Sequence, residues 1–319
     1  MRALLIAECC QNHNGDQEIL RRMIHTAAEN GADYVKIQAI RSRELTRREP
    51  FEEGQTDATG KVLAIKRPYQ PELERLAQLD LSLEEEAWFV EECNKAGVLP
   101  MTTAFTRTAA REVEHMGYAA IKIASYDCAS YPLLADVKAR WNKIFVSTGA
   151  THDHEVAQAA AVLEGSDYEF LHCVTLYPTP MEELHMSRID WLKQFTPRVG
   201  YSDHSKPAET RLWASKIALA MDASCIERHY TVLGVNDTKD GPVSITPEML
   251  RELRDFADRP VEERLELIAR EYPEWERSLG DPQRALSHAE LLNRDYYRGR
   301  FAAKIDGRVV YNWEDYSFA

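Results

Sequence analysis

The sequence predicts an α/β protein in which eight strand–helix units close into a (β/α)8 TIM barrel with a short C-terminal extension. Three observations predict it. Short apolar runs recur and alternate with helical patterns; they fall within about 250 residues, the size of one barrel; and no GxGxxG turn of an open dinucleotide-binding sheet is present.

In order, the runs are ALLIAE (3–8), ADYVKIQ (32–38), VLPMTT (98–103), AAIKIAS (119–125), KIFVST (143–148), YEFLHC (168–173), RVGYS (198–202) and CIERHY (225–230). Each is short, β-branched or aromatic, and bounded by turn residues, as buried parallel strands are. Between them lie helix start and stop signals. Ser82 and Glu85 form a capping box, and Gly97 stands where a left-handed C-cap belongs. Thr151 precedes DHEVAQAAAVLEG in the same style, and Thr246-Pro247-Glu248 opens the helix after the last strand. The barrel is expected over 1–258 and the extension over 259–319.

Two regions break the rhythm. Residues 39–80 make a long, charged β–α connection with a short helix expected around 71–79, and connections of that length are often lids or binding loops. Residues 259–319 start as a charged helical stretch and finish with LLNRDYYRGRFAAKIDGRVVYNWED.

The charge balance narrows the partners. With 39 basic and 52 acidic residues the net charge is −13, which disfavours nucleic acid or an anionic membrane surface. No apolar stretch approaches the roughly 18 residues of a membrane span, and the run Ala3–Cys10 continues into QNHNGD without a cleavage site. Six cysteines (Cys9, Cys10, Cys93, Cys128, Cys173, Cys225) are scattered without a CxxC pair, which reads as reduced thiols in the cytoplasm.

Residues at the C-terminal strand ends of such a barrel share one mouth, so unusual polar residues there are candidates for catalysis. This sequence supplies Glu8, Lys36 and Gln38, Thr103, Lys122 and Ser125, Ser147, Thr175, Ser202 and His204, and Glu227 and His229. Lys36 and Gln38 are two apart and so face one side, as do Glu227 and His229. A lysine in an apolar strand needs an anion, which is either a structural carboxylate or a bound phosphate or carboxylate. Two such lysines with hydroxyls nearby favour a bound anion. His204 and His229 end the last two strands, about 5 Å apart, so two imidazoles can reach one ion. Two neutral nitrogens with no thiolate point to Mn2+ or Mg2+ rather than a closed Zn2+ site.

Seven segments then carry a resemblance: AECCQNHNGD (7–16), GADYVKIQ (31–38), KIASYD (122–127), VSTGA (146–150), LHCVTLYPTP (171–180), GYSDHS (200–205) and IERHYT (226–231). In this order they resemble the motifs of the sialic acid (N-acetylneuraminate) synthase family, and KDGPVSITPE (239–248) resembles the segment after its last strand. The resemblance covers residues 3–258. It implies condensation of phosphoenolpyruvate with an amino-sugar aldehyde such as N-acetylmannosamine, with phosphate released by C–O cleavage. It assigns the metal to His204 and His229, phosphoenolpyruvate to Lys36, Thr103, Lys122, Ser125, Ser147 and Ser202, acid/base chemistry to Glu8, and the sugar to Gln38, Tyr177 and Asp240. A homodimer is implied too.

Departures bear on the acceptor. Asp127 stands where many members have Glu, Thr175 where many have Asn, and Ala104 where Pro is usual. A legionaminate- or pseudaminate-type synthase, a metal-dependent hydrolase and a catalytically silent phosphosugar-binding barrel are the competing readings. Many members also carry a C-terminal antifreeze-like domain, and residues 259–319 are too few for a linker and that complete domain. NRDYYRGRFAAKIDG (293–307) resembles the start of the inter-domain region. It is expected either to pack on the surface or to cap the mouth with Arg298 or Arg300, a task the 39–80 connection could also perform.

Overall fold

The computed structural model describes residues 2–317. All eight apolar runs form strands: β1 (Leu4–Cys10), β2 (Tyr34–Ala39), β3 (Leu99–Ala104), β4 (Ala120–Ile123), β5 (Ile144–Ser147), β6 (Tyr168–His172), β7 (Val199–Asp203) and β8 (Cys225–His229). They pair in parallel and close on themselves through β1 and β8, where Glu8 lies opposite His229. Helices surround this ring, so the fold is the expected (β/α)8 barrel.

Local chemistry sets the helix ends. Ser82 and Glu85 make the reciprocal capping box that opens Leu83–Ala96, and Gly97 closes it at φ 75°. Thr246 accepts from the Met249 amide at the head of Pro247–Ala257. The cap of Asp153–Leu163 differs from expectation. His152 occupies the cap position and Glu155 reaches back to its amide, because the Thr151 hydroxyl is spent on the carbonyls of Ser125 and Gly149, each at 3.1 Å.

Two apolar layers share the packing. The larger lies between strands and helices. A smaller one fills the barrel interior with Ile6, Tyr34, Met101, Ala120, Phe145, Leu171 and Cys225. The floor it makes beneath the C-terminal strand ends positions everything above it.

The 39–80 connection is more structured than a charged loop. It holds a short hairpin (Gln55–Thr56 with Val62–Ala64) and helices Pro50–Glu53 and Tyr69–Ala77, the latter where a helix was expected at 71–79. After the barrel, helix Val261–Glu271 lays Ile268 into the larger core, while Arg264 donates to the Leu219 carbonyl at 2.6 Å. Helix His288–Tyr297 and a hairpin of Ala303–Ile305 with Arg308–Val310 follow. This tail is zipped to the 39–80 connection: Thr46 donates to the Arg300 carbonyl (2.9 Å), Ala302 to that of Glu44 (3.0 Å), and Phe301 packs with Leu45 and Leu76.

Candidate active site

Strand periodicity builds the site. Side chains two apart share a face, so each floor residue is followed by an inward residue one layer higher. Ile6 leads to Glu8, Tyr34 to Lys36 and Gln38, Met101 to Thr103, Ala120 to Lys122, Phe145 to Ser147, and Cys225 to Glu227 and His229. The apolar layer thus gives way within two residues to a ring of buried polar groups.

Four charges occupy the ring's centre. The Lys36 ammonium, 1% exposed, bonds the Glu8 carboxylate, donates to Thr103 Oγ1 at 2.8 Å and lies 3.8 Å from Glu227. Lys122 bonds Glu227 from the opposite wall, with Ser202 Oγ at 3.5 Å; Ser202 itself donates to Glu227 at 2.9 Å. Burial opposes charge on Lys36, but the Glu227 and Glu8 carboxylates outweigh it and hold the ammonium above its ordinary value. Burial likewise opposes charge on Glu227, and Lys122 and Lys36 outweigh it and hold that carboxyl well below the usual range. Glu8 also accepts from the Cys10 amide at 2.6 Å and from Gln38 Nε2 at 3.4 Å.

Both lysines therefore meet carboxylates, as structural salt bridges would. What such bridges leave unexplained is a set of buried polar atoms at the same barrel mouth with no hydrogen-bond partner: Ser147 Oγ, Thr175 Oγ1 and His229 Nδ1. Orphans of this kind are uncommon in folded proteins. Ser125 Oγ contacts Cys173 Sγ at 3.5 Å, and Gly149 is held so tightly that an added Cβ would lie 2.7 Å from Thr175 Cγ2 and 3.0 Å from Ser125 Oγ.

The histidines stand one layer higher. The His204 and His229 rings are 5.6 Å apart between centroids, and half-exposed Tyr177 covers them, its hydroxyl 3.1 Å from His204 Nε2. Burial, then the neighbouring His229 and Lys122, push His204 down to about 3, so it is a neutral imidazole. Two residues outside the expected pair join His229: Cys10, His229 and Asp240 bring their ligand atoms within 4.8 Å of one another. The Mn2+ or Mg2+ expectation rested on nitrogens without a thiol. A thiol does stand nearby: the loop after β8 returns to β1 and sets Asp240 Oδ2 3.1 Å from Cys10 Sγ.

Asp127 is engaged by the tail. Asn312 Nδ2 donates to its carboxylate at 2.9 Å and to the Phe105 carbonyl at 2.8 Å, while Ser130 donates at 2.9 Å. Burial still raises the Asp127 carboxyl despite these bonds. Asn293 donates to the Thr175 carbonyl, Arg294 to that of Ala150, and Tyr297 stacks on Tyr126 at 4.7 Å. The same chain's tail thus lies over the loops after β3 to β6. Neither expected arginine stands free: Arg300 bonds Glu72 and Arg298 lies 5.1 Å over Trp313. Sequence reasoning placed Glu227 at the mouth without a role and left Cys10 and Asn312 out of the site. Glu227 was legible from its spacing to His229; the other two carried no local signal.

The comparisons agree with this architecture. The model of the NeuB family matches residues 23–264. N,N'-diacetyllegionaminic acid synthase of Campylobacter jejuni is 26% identical, over 96% of this chain and 86% of the relative. The spore coat polysaccharide biosynthesis protein SpsE of Bacillus subtilis is 30% identical, over 93% and 78%. Among solved structures, the N-acetylneuraminic acid synthetase of Leptospira borgpetersenii superposes with a TM-score of 0.70 at 26% identity, covering 93% of this chain and 91% of that one. With its barrel closed as the motifs require and the family model matched over most of its length, the chain belongs to the NeuB family.

Proposed function

We propose that the protein is a nonulosonate synthase that condenses phosphoenolpyruvate with the open-chain aldehyde of an N-acylated amino sugar. The observation that carries the reading is that one barrel mouth holds two buried lysines, each on a carboxylate, together with the orphaned hydroxyls of Ser147 and Thr175. Such a mouth suits a small, highly anionic ligand. The relatives' names span legionaminic, pseudaminic and N-acetylneuraminate-9-phosphate synthases, so the acceptor class is N-acylated amino sugars, N-acetylmannosamine among them.

In this reading Lys36, Lys122, Ser125, Ser147, Ser202 and Thr103 hold the phosphate and carboxylate. Charge-assisted contacts to these groups strengthen where water is excluded. Gln38, Asp127, Thr175, Tyr177 and Asp240 line the side where the sugar enters. A divalent cation at His204 and His229 supplies Lewis-acid polarisation of the aldehyde when bound, and the orphaned His229 nitrogen and neutral His204 suit it. C3 of the enol attacks the aldehyde carbon and the new C–C bond leaves C2 electron-poor. Water adds at C2, Glu8 takes one of its protons and returns it to the sugar oxygen, and the C2–O bond to phosphorus-bound oxygen breaks as the new C2 hydroxyl becomes the keto group and its proton leaves with phosphate. Carboxylate proton transfer of this kind contributes about 10²–10⁴-fold.

Among the described residues no helix is long and apolar enough to cross a membrane, and all six cysteines are free and buried, which fits a reducing compartment such as the cytoplasm. Phosphate release with phosphoenolpyruvate, a divalent metal and a panel of N-acyl hexosamines tests the function. Sugar-dependent release is expected, with ¹⁸O from the bridging position recovered in inorganic phosphate. No release with any amino sugar, or label retained in the organic product, contradicts it.

A further inference from the structure

We propose that Cys10 and Asp240 complete the metal site with His229, making it a thiolate-containing centre that takes a thiophilic divalent ion such as Zn2+ or Co2+ ahead of Mn2+ or Mg2+. The inference deepens the proposed function, because it rests on the reading that an ion sits at His229, and it makes Cys10 and Asp240, rather than His204, the other protein donors to that ion.

Three independent observations converge. The first is distance: a sulfur, an imidazole nitrogen and a carboxylate oxygen lie within 4.8 Å of one another. Bonds of about 2.3 Å to sulfur and about 2.1 Å to nitrogen or oxygen allow two donors on one ion to stand up to about 4.4 Å apart, so small rotations close the set. The second is the His229 imidazole itself. It is 9% exposed, and its Nδ1 has no hydrogen-bond partner. A thiol–carboxylate hydrogen bond accounts for Cys10 and Asp240 alone but leaves that nitrogen unexplained. The third is backbone strain. Cys10 adopts φ 46°, a left-handed conformation that costs an L-residue with a side chain and that persists mostly where function uses it. The pairing of β1 with β2 shifts register between Glu8 and Cys10, and the Cys10 thiol lies 3.1 Å from Asp240 Oδ2.

Charge and softness decide the ion. A thiolate and a carboxylate together neutralise a dication in a buried setting, and binding transfers the Cys10 proton to solvent. Thiolate ligands favour Zn2+ and its neighbours over the oxygen-seeking Mn2+ and Mg2+. Three protein donors leave a position for a substrate oxygen, as catalytic rather than structural zinc sites do.

Co2+ titration of the full chain, stripped of metal by chelator, tests the site without reference to turnover. Wild type should develop the near-ultraviolet thiolate-to-Co2+ absorption, and equimolar Zn2+ but not Mn2+ should erase it. Cys10→Ala should abolish that band and, like Asp240→Asn, weaken Co2+ binding by roughly tenfold or more. Each variant's circular dichroism controls for folding. Cys173→Ala serves as the control, since that thiol lies 3.6 Å from His204 Nδ1 and should leave the band intact. Co2+ binding without the band, a band lost with Cys173 instead of Cys10, or preference for Mn2+ over Zn2+ overturns the proposal. Phosphate release is scored separately: an active enzyme with no thiolate band sinks this site alone, and an intact band without sugar-dependent release sinks the condensation reading alone.

Discussion

Lys122 and Glu227 bond each other across the full width of the barrel, from strands β4 and β8 that stand opposite in the ring. Each is less than a tenth exposed, so each neutralises a charge that water no longer reaches. The pair is the hub of the polar layer, because Glu227 also faces Lys36 and Ser202.

Lys122→Met should therefore destabilise the fold by about 3–5 kcal/mol, since it leaves the Glu227 carboxylate buried with its main partner gone. Lys122→Met combined with Glu227→Gln should recover part of that loss. Urea unfolding of the double variant and of each single variant, Glu227→Gln included, measures it. A double variant as unstable as the sum of its single variants would mean the two residues are not coupled.

A pH dependence follows from Glu44, whose carboxyl burial raises to about 7 against the hydrogen bond from Thr106. An acid whose folded value is raised binds its proton more tightly in the folded state. Its contribution to stability is therefore lost as pH climbs from about 4.5 to about 7. Glu44→Gln keeps the acceptor for Thr106 and removes the titration, so it should raise the Tm more at pH 8 than at pH 5. Equal gains at the two pH values would show that Glu44 is already ionised when folded.

Asn312 offers a finer test of the tail than deleting it. Removing everything after Pro282 also removes Phe301 and Tyr296 from packed clusters, so loss of fold would obscure any effect on turnover. Asn312→Ala leaves Asp127 with one fewer donor, at a cost of about 1–3 kcal/mol. It should raise KM for the amino sugar and leave KM for phosphoenolpyruvate unchanged in steady-state kinetics. Unchanged KM for both would confine Asn312 to stability.

Gly149→Ala probes the packing beneath the orphaned hydroxyls. The new methyl would meet Thr175 Cγ2, Cys173 Sγ and Ser125 Oγ at 3.0 Å or less, so the wall must shift. Overpacking of this kind costs about 1–3 kcal/mol. Calorimetry should show weaker phosphoenolpyruvate binding together with a lower Tm; wild-type affinity would mean that this wall does not touch the ligand.

Short apolar runs bounded by turns were enough, in the sequence alone, to mark eight strands, and period two put Lys36 with Gln38 and Glu227 with His229 on common faces. Capping chemistry did the same for Ser82 and Gly97. Both signals act over a few residues, within the reach of one strand or one helical turn. Which carboxylate meets which lysine was beyond that reach, because Lys122 and Glu227 are 105 residues apart and become neighbours only when the ring closes. The same holds for Cys10 with Asp240, 230 apart, and for Asn312 with Asp127, 185 apart. Cys10 looked like one more apolar strand residue, and only its left-handed turn and the returning loop after β8 make it a candidate metal ligand. Strands and their inward faces are local properties of the chain, whereas the partners inside the mouth are set by barrel closure and by the tail folding back over it.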